Sequence, residues 1–319
     1  MIEINHLVKK YGSAYAVDDI SFSVSEGEVL GFLGPNGAGK TTTMNILTGY
    51  LSATSGSAKI AGIDVLENPI GAKKHIGFLP EHPPLYLDMT VKEYLSFVYN
   101  LKKCTFNKKK HIDEICEVLR IEDVYKRPIS HLSKGYRQRV GIAQALIGNP
   151  DVLIFDEPTV GLDPKQIIEI RNLITALGKK HTVILSSHIL PEVQSVCGRI
   201  VIINKGKIVA DAKTDELEVL TGARKLIAKI TGQRAEVISL IESVTGVTSC
   251  EFLDQKDGDA YSYLIETQSD VDVRKMLFRK VADKGLYMVG LEPEGANLED
   301  VFISLVGSEG EAKDGEPSE

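Results

Sequence analysis

The chain has 319 residues, of which 43% are hydrophobic and 25% charged, enough for one large core and a second, smaller one, with no compositional sign of disorder. Its formal net charge of -7 supplies no overall field to attract nucleic acid or an acidic membrane surface. The cysteines at 104, 116, 197 and 250 are too scattered for a zinc site or a redox dithiol, no run reaches the ~18 apolar residues of a membrane-spanning helix, and the start Met1-Ile2-Glu3-Ile4-Asn5 lacks an export signal, so the expectation is a chain with reduced thiols that neither spans a membrane nor is exported.

In chain order, Ile2-Glu3-Ile4 and Ile20-Ser21-Phe22-Ser23-Val24 alternate apolar and polar residues, as half-exposed antiparallel strands do. Apolar runs follow at 29–33, 76–79, 152–155, 183–185 and 200–203. They read as buried strands of a mostly parallel, helix-covered sheet. Strand signals vanish at about 90–148, where Thr90-Val91-Lys92-Glu93 is a capping box opening an amphipathic helix and 112–119 repeats apolar residues at helical spacing. After Asp211 the pattern becomes β-α-β-β-α-β, with strands expected near 225–230, 249–253, 262–265 and 287–291 and helices at 235–244 and 271–282.

Two stretches carry chemistry. Gly34-Pro35-Asn36-Gly37-Ala38-Gly39-Lys40-Thr41 fits G-x-x-x-x-G-K-[ST] and lies between the apolar strand 29–33 and a helix beginning near Thr42. A loop in that setting aims several backbone N–H groups at one anion, the glycines let the chain wrap closely, Lys40 supplies a point charge for the β- and γ-phosphates, and the Thr41 hydroxyl suits Mg²⁺. Val152-Leu153-Ile154-Phe155-Asp156-Glu157 is a buried strand ending in two carboxylates, delivered to the crevice where phosphates bind in such sheets. Asp156 is then the candidate for holding Mg²⁺ through water, and Glu157 the candidate for polarising the attacking water. An isolated strand ending in Asp-Glu would be a weak sign; the phosphate loop upstream gives it weight.

About a dozen residues before that strand, Leu132-Ser133-Lys134-Gly135-Tyr136-Arg137-Gln138-Arg139-Val140 resembles the signature motif of ABC ATPases. The phosphate loop and acidic strand resemble their Walker A and Walker B motifs, Gly161-Leu162-Asp163 their D-loop, and His188 in Ser186-Ser187-His188 their switch histidine. The resemblance covers roughly the first two-thirds of the chain. It implies an ATPase that binds ATP and Mg²⁺ and works as a homodimer beneath a separate membrane permease, at the cytoplasmic face of the cell membrane. It also implies that Tyr11 stacks on adenine, and that Ser133 and the N–H groups of Lys134 and Gly135 reach the γ-phosphate held by a second subunit.

Two departures stand out: Lys134 and Tyr136 replace a glycine and a glutamine of the usual signature, and Glu81 stands where the family usually has a Mg²⁺-sensing glutamine. An ionised carboxylate can bind metal but cannot donate a hydrogen bond, so coupling to the membrane partner is open to change. Both departures resemble bacterial export-type subunits, including multidrug and gliding-motility ATP-binding proteins, that carry a C-terminal accessory domain, which 297–302 also resembles. The lysines at 102, 103 and 108–110 read first as a solvated face, with lipid headgroups beneath a membrane partner as the alternative.

The expected architecture is an α/β P-loop NTPase of the ABC type at residues 1–213, with a mostly parallel sheet, a flanking antiparallel β layer and the helical insertion. A linker follows at 214–222, then a small βαββαβ-like α+β domain at 223–306 and a disordered acidic tail at 307–319. The competing function is a soluble ABC ATPase acting on nucleic acid or ribosomes. Relatives of that kind usually carry two ATPase modules or a long coiled coil, whereas this chain has one phosphate loop and no sustained heptads.

Overall fold

A computed structural model describes residues 1–105, 107–214, 223–268 and 271–294. The expected linker beyond Thr214, the stretch 297–302 and the acidic tail lie outside these residues. The chain divides into two compact units, Met1–Ala212 and Lys213–Glu319.

In the first unit, strands β1 (Ile2–Tyr11), β2 (Ala14–Val24), β4 (Ser55–Ile60) and β5 (Ile63–Asp64) form an antiparallel sheet in the order β2-β1-β4-β5. Strands β3 (Val29–Leu33), β6 (Ile76–Leu79), β7 (Val152–Asp156), β8 (Thr182–Ser187), β9 (Arg199–Asn204) and β10 (Lys207–Lys213) form the main sheet in the order β10-β9-β3-β8-β7-β6. Neighbours from β9 through β6 are parallel. These are the runs read from sequence as buried strands, and the reason they are continuously apolar is that both faces are covered. Leu30, Phe32, Val152, Ile154, Ile184 and Val201 share one core with helix α1 (Lys40–Leu47) and the antiparallel sheet, where Phe22 stacks on Phe32 at 5.4 Å. The alternate residues Leu33, Leu153, Phe155, Val183 and Leu185 are buried on the opposite face.

Between β6 and β7 come α3 (Val91–Leu101), α4 (Lys108–Leu119) and α5 (Lys134–Leu146), preceded by the short α2 (Pro69–Lys74) between β5 and β6. The capping box expected at Thr90 is formed: its side chain accepts from the Glu93 N–H and the Glu93 carboxylate accepts from the Thr90 N–H. Helices α6 (Pro164–Gly178) and α7 (Leu190–Gln194) follow β7 and β8.

The second unit runs β11 (Ala223–Thr231), α8 (Arg234–Glu242), β12 (Val247–Asp257), β13 (Ala260–Gln268), α9 (Arg274–Asp283) and β14 (Met288–Glu294). Its antiparallel sheet has the order β12-β13-β11-β14, the split-βαβ arrangement. Leu226, Ala228, Ile230, Tyr263 and Ile265 pack on Val237, Leu240, Leu277 and Val281 of the helices.

Candidate functional site

The loop between β3 and α1 owes its path to glycines. Gly39, the residue before α1, has φ +111°, and a Cβ there would collide with the Ala16 carbonyl oxygen of β2; Gly34 is pressed equally against the Ile203 carbonyl oxygen of β9. The loop is thereby clasped by two sheets, and α1 begins with its N–H groups facing the hollow the loop encloses.

Lys40, the first residue of α1, is only 6% exposed. Its ammonium donates to the carbonyl oxygens of Gly34 at 2.8 Å and Pro35 at 3.2 Å, and lies 3.3 Å from Glu157 Oε1. Glu157 is itself 6% exposed and has φ +48°, a strained backbone for a non-glycine residue. Its N–H is held by the Ser186 carbonyl oxygen at 3.3 Å and by Ser186 Oγ at 3.0 Å. His188 Nδ1 lies 3.0 Å from Glu157 Oε2. An ionised carboxylate only accepts, so the imidazole donates from Nδ1 and keeps Nε2 for another partner. Lys40, Glu157 and His188, from three separate stretches of sequence, thus form one connected chain of contacts.

Asp156 is 1% exposed and accepts from Ser186 Oγ at 2.5 Å. Burial pushes its carboxyl above the ordinary aspartate value, with the charges of Glu157 and Glu81 adding to the shift, while hydrogen bonds from Ser186 and Thr41 oppose it. A buried carboxylate held above its usual range, bonded to a hydroxyl and facing two further acids, is a place that gains from a cation. Thr41, Asp156 and Glu81 offer only hard oxygen donors, which suits Mg²⁺ and not a sulfur- or nitrogen-seeking metal.

Lys40, Thr41, Glu81, Glu157 and His188 line a cleft of about 380 Å³ together with Asn36, Gly37, Gly39 and Thr42, with Ala16 and Val160 added by the fold; Asp156, buried and next to Glu157 in sequence, is outside this lining. The volume falls in the range of small-molecule sites. Gly34, Pro35 and Ala38 belong to the same loop, shaping its path: Ala38 N–H donates to the Pro35 carbonyl oxygen at 3.2 Å. Tyr11 is outside the lining. It is 55% exposed at the turn of the β1–β2 hairpin, paired with Ala14, with Lys9 Nζ 5.3 Å from its ring centre.

The ABC transporter family profile matches residues 17–160. The bacitracin transport ATP-binding protein BcrA of Bacillus licheniformis is 34% identical over 309 residues, covering 96% of this chain and 97% of the relative. The linearmycin resistance ATP-binding protein LnrL of Bacillus subtilis (strain 168) is 31% identical over 316 residues, covering 96% and 98%. Among solved structures, the dimeric ATP-binding cassette MJ0796 in a post-hydrolysis state bound to ADP and Pi shares 26% identity at a TM-score of 0.62, covering 67% of this chain and 99% of that one. This chain belongs to the ABC transporter ATP-binding proteins.

As an ABC ATPase subunit it binds and hydrolyses ATP. The signature segment lies elsewhere on the surface. Ser133 caps α5, its hydroxyl oxygen accepting from the Tyr136 N–H at 3.4 Å, and Gly135 lines a separate hollow of about 240 Å³ with Arg120, Tyr136, Arg139, Gln166, Glu169 and Ile170. Neither Ser133 nor Gly135 lines the phosphate-loop cleft of its own chain. The two departures from the usual signature have partners: Tyr136 donates its hydroxyl to Asp123 at 2.9 Å, and the Lys134 ammonium lies over Gly161, where any Cβ would strike it.

Sequence reasoning passed over Ser186, which ties both acidic residues to β8, although it stands in the quoted Ser186-Ser187-His188. It also passed over Gln138, whose amide donates to the Pro158 carbonyl oxygen at 2.8 Å and so fastens α5 to the loop after Glu157.

Proposed function

We propose that this ABC ATPase works at the cytoplasmic face of the cell membrane, where two copies close head-to-tail on ATP and drive a separate permease, in the export direction. The observation that carries the reading is the convergence of Lys40, Glu157 and His188 at the phosphate loop, with Asp156 buried beside them. The names of the relatives support the direction: one is a bacitracin transport protein and the other a linearmycin resistance protein, the activities expected of pumps that clear toxic compounds. Among the described residues no helix is long and apolar enough to cross a membrane, which fits a cargo path supplied by a partner.

The geometry supports the following roles. Lys40 leaves the Gly34 and Pro35 carbonyls and Glu157 for the phosphates, which offer it stronger, charge-assisted bonds. Its departure frees Glu157 to accept a proton from the attacking water. His188 steadies that carboxylate through Nδ1 and offers Nε2 to the terminal phosphate. Thr41, Asp156 through water, and Glu81 would hold Mg²⁺, which when bound supplies positive charge to the phosphate oxygens. Ser133 and the start of α5 complete the site of the opposite copy, consistent with their separation from the cleft of their own chain. Tyr11 offers its exposed face to adenine.

The deciding experiment is purification from detergent-solubilised membranes. A co-purifying multi-spanning protein whose presence stimulates ATP hydrolysis supports the reading. Ribosomes or DNA in its place would overturn it.

A further inference from the structure

The charge of the first unit is uneven. Between Glu93 and Asp113 the sequence holds no acidic residue, yet it carries Lys102, Lys103, Lys108, Lys109 and Lys110. Lys102 is engaged internally, its ammonium donating to the Ala145 and Ile147 carbonyl oxygens at 3.3 and 2.7 Å, at the end of α5. The other four gather at one end of the helical segment. Lys108 Nζ donates to Asn100 Oδ1 at 3.2 Å and lies 5.7 Å from the Tyr99 ring centre, which seats the first turn of α4 beside the last turn of α3, from which Lys103 follows. Among the described residues, the carboxylate in reach of these four is Glu114, 3.8 Å from Lys110.

Lys108, Lys109 and Lys110 occupy the first turn of α4, a turn without acidic residues. Cations there oppose the helix dipole, so local folding gives no reason for them. Asn107 already caps the helix, its side-chain oxygen accepting from the Lys110 N–H at 3.1 Å. Next to the lysines the surface is apolar. Leu101 is 67% exposed, Phe97 one turn earlier on the same face of α3 is 36% exposed, and Tyr86 packs edge-on against Phe97 at 5.4 Å. A cluster of lysines alone would suit any polyanion. Lysines bordered by an exposed leucine and aromatics suit the level of a bilayer where headgroups meet acyl chains.

We infer that the end of the helical segment formed by Leu101, Lys103 and Lys108–Lys110, with Phe97 behind it, docks on an anionic phospholipid surface. Lysine ammonium groups take the headgroup phosphates and Leu101 enters the acyl boundary. The inference rests on the membrane-face placement proposed above and adds a contact independent of the permease. Anchoring by three exposed lysines and the half-buried Lys108 is weak and reversible, as suits a subunit that must move on each ATP cycle.

The test uses the full chain and vesicles of phosphatidylcholine, with and without phosphatidylglycerol, sedimented at low and high salt. The variants are K103Q/K109Q/K110Q and, separately, Leu101→Ser; ATP hydrolysis in solution and melting temperature, both expected unchanged, confirm that they fold. The expected result is binding to the anionic vesicles alone, weakened by salt, at least ~10-fold weaker in the triple variant and also weaker in Leu101→Ser. Equal binding to neutral vesicles, equal binding by the triple variant, or no vesicle binding by the unmodified protein would overturn the inference. So would competition by duplex DNA or RNA with Leu101→Ser indifferent, which would make the patch a nucleic-acid surface. A permease that co-purifies while vesicle binding is absent would remove the lipid contact and leave the transporter placement standing.

Discussion

At the scale of residues, the proposed roles put binding and chemistry on different side chains. Glu157 faces Lys40 and His188 and owes its position to a left-handed backbone held by Ser186. Glu157→Gln keeps the shape and removes the proposed proton acceptor. It is expected to bind ATP with near-normal affinity while kcat falls by at least ~100-fold, measured by equilibrium binding alongside steady-state hydrolysis. Asp156 differs, because burial raises its pKa. A carboxyl whose folded pKa lies above its unfolded value contributes stability fully below the unfolded pKa and loses it as pH rises through the folded value, so the ionised form strains the nucleotide-free protein at neutral pH. Asp156→Asn should therefore raise the melting temperature of the nucleotide-free protein at pH 7, by an amount that shrinks as pH is lowered towards the carboxylate range. The same variant should gain little stability from added Mg·ATP. A lower melting temperature without nucleotide would mean that the hydrogen bonds from Ser186 and Thr41 outweigh burial.

At the scale of elements, strand β7 carries the acidic pair, and all five of its residues are buried. Phe155, fully buried beside Asp156, anchors that strand in the core. Phe155→Ala should cost ~3–5 kcal/mol of unfolding free energy in a denaturant titration. The main parallel strands were legible because burial on both faces leaves continuous apolar runs, as in Val152-Leu153-Ile154-Phe155. Strand β4 starts Ser55-Gly56-Ser57 and β10 is largely half-exposed, so neither carries that pattern; pairing with β1 and β9 makes them strands. In the second unit the hairpin β12–β13 extends further than its apolar centres at 249–253 and 262–265, since the backbone ladder runs on through Lys256 and Asp257 to Tyr261 and Ala260. The phosphate loop was legible as a motif with its flanking strand and helix. The tether of Lys40 to Glu157 was not, because it joins residues more than a hundred positions apart and depends on the Glu157 backbone turning left-handed.

At the scale of the whole molecule, Ser133 and Gly135 at the start of α5 do not line the phosphate-loop cleft of their own chain, and Gly135 lines a separate hollow. On the proposed head-to-tail reading a single copy lacks the groups that finish the site, and specific ATPase activity should rise with protein concentration until dimers dominate, as followed by hydrolysis assays across a dilution series with light scattering. Activity per chain that is flat from dilute monomer upward would show that one copy suffices. The cleft around Lys40 is the proposed place where ATP is held and cleaved, and the decisive comparison is of Mg·ATP binding and hydrolysis by the unmodified chain and Lys40→Ala. Lys40→Ala is expected to fold, to bind ATP at least ~10-fold more weakly and to lose hydrolysis, because the ammonium that would meet the phosphates is gone. A folded Lys40→Ala protein with unchanged ATP affinity and turnover would contradict it.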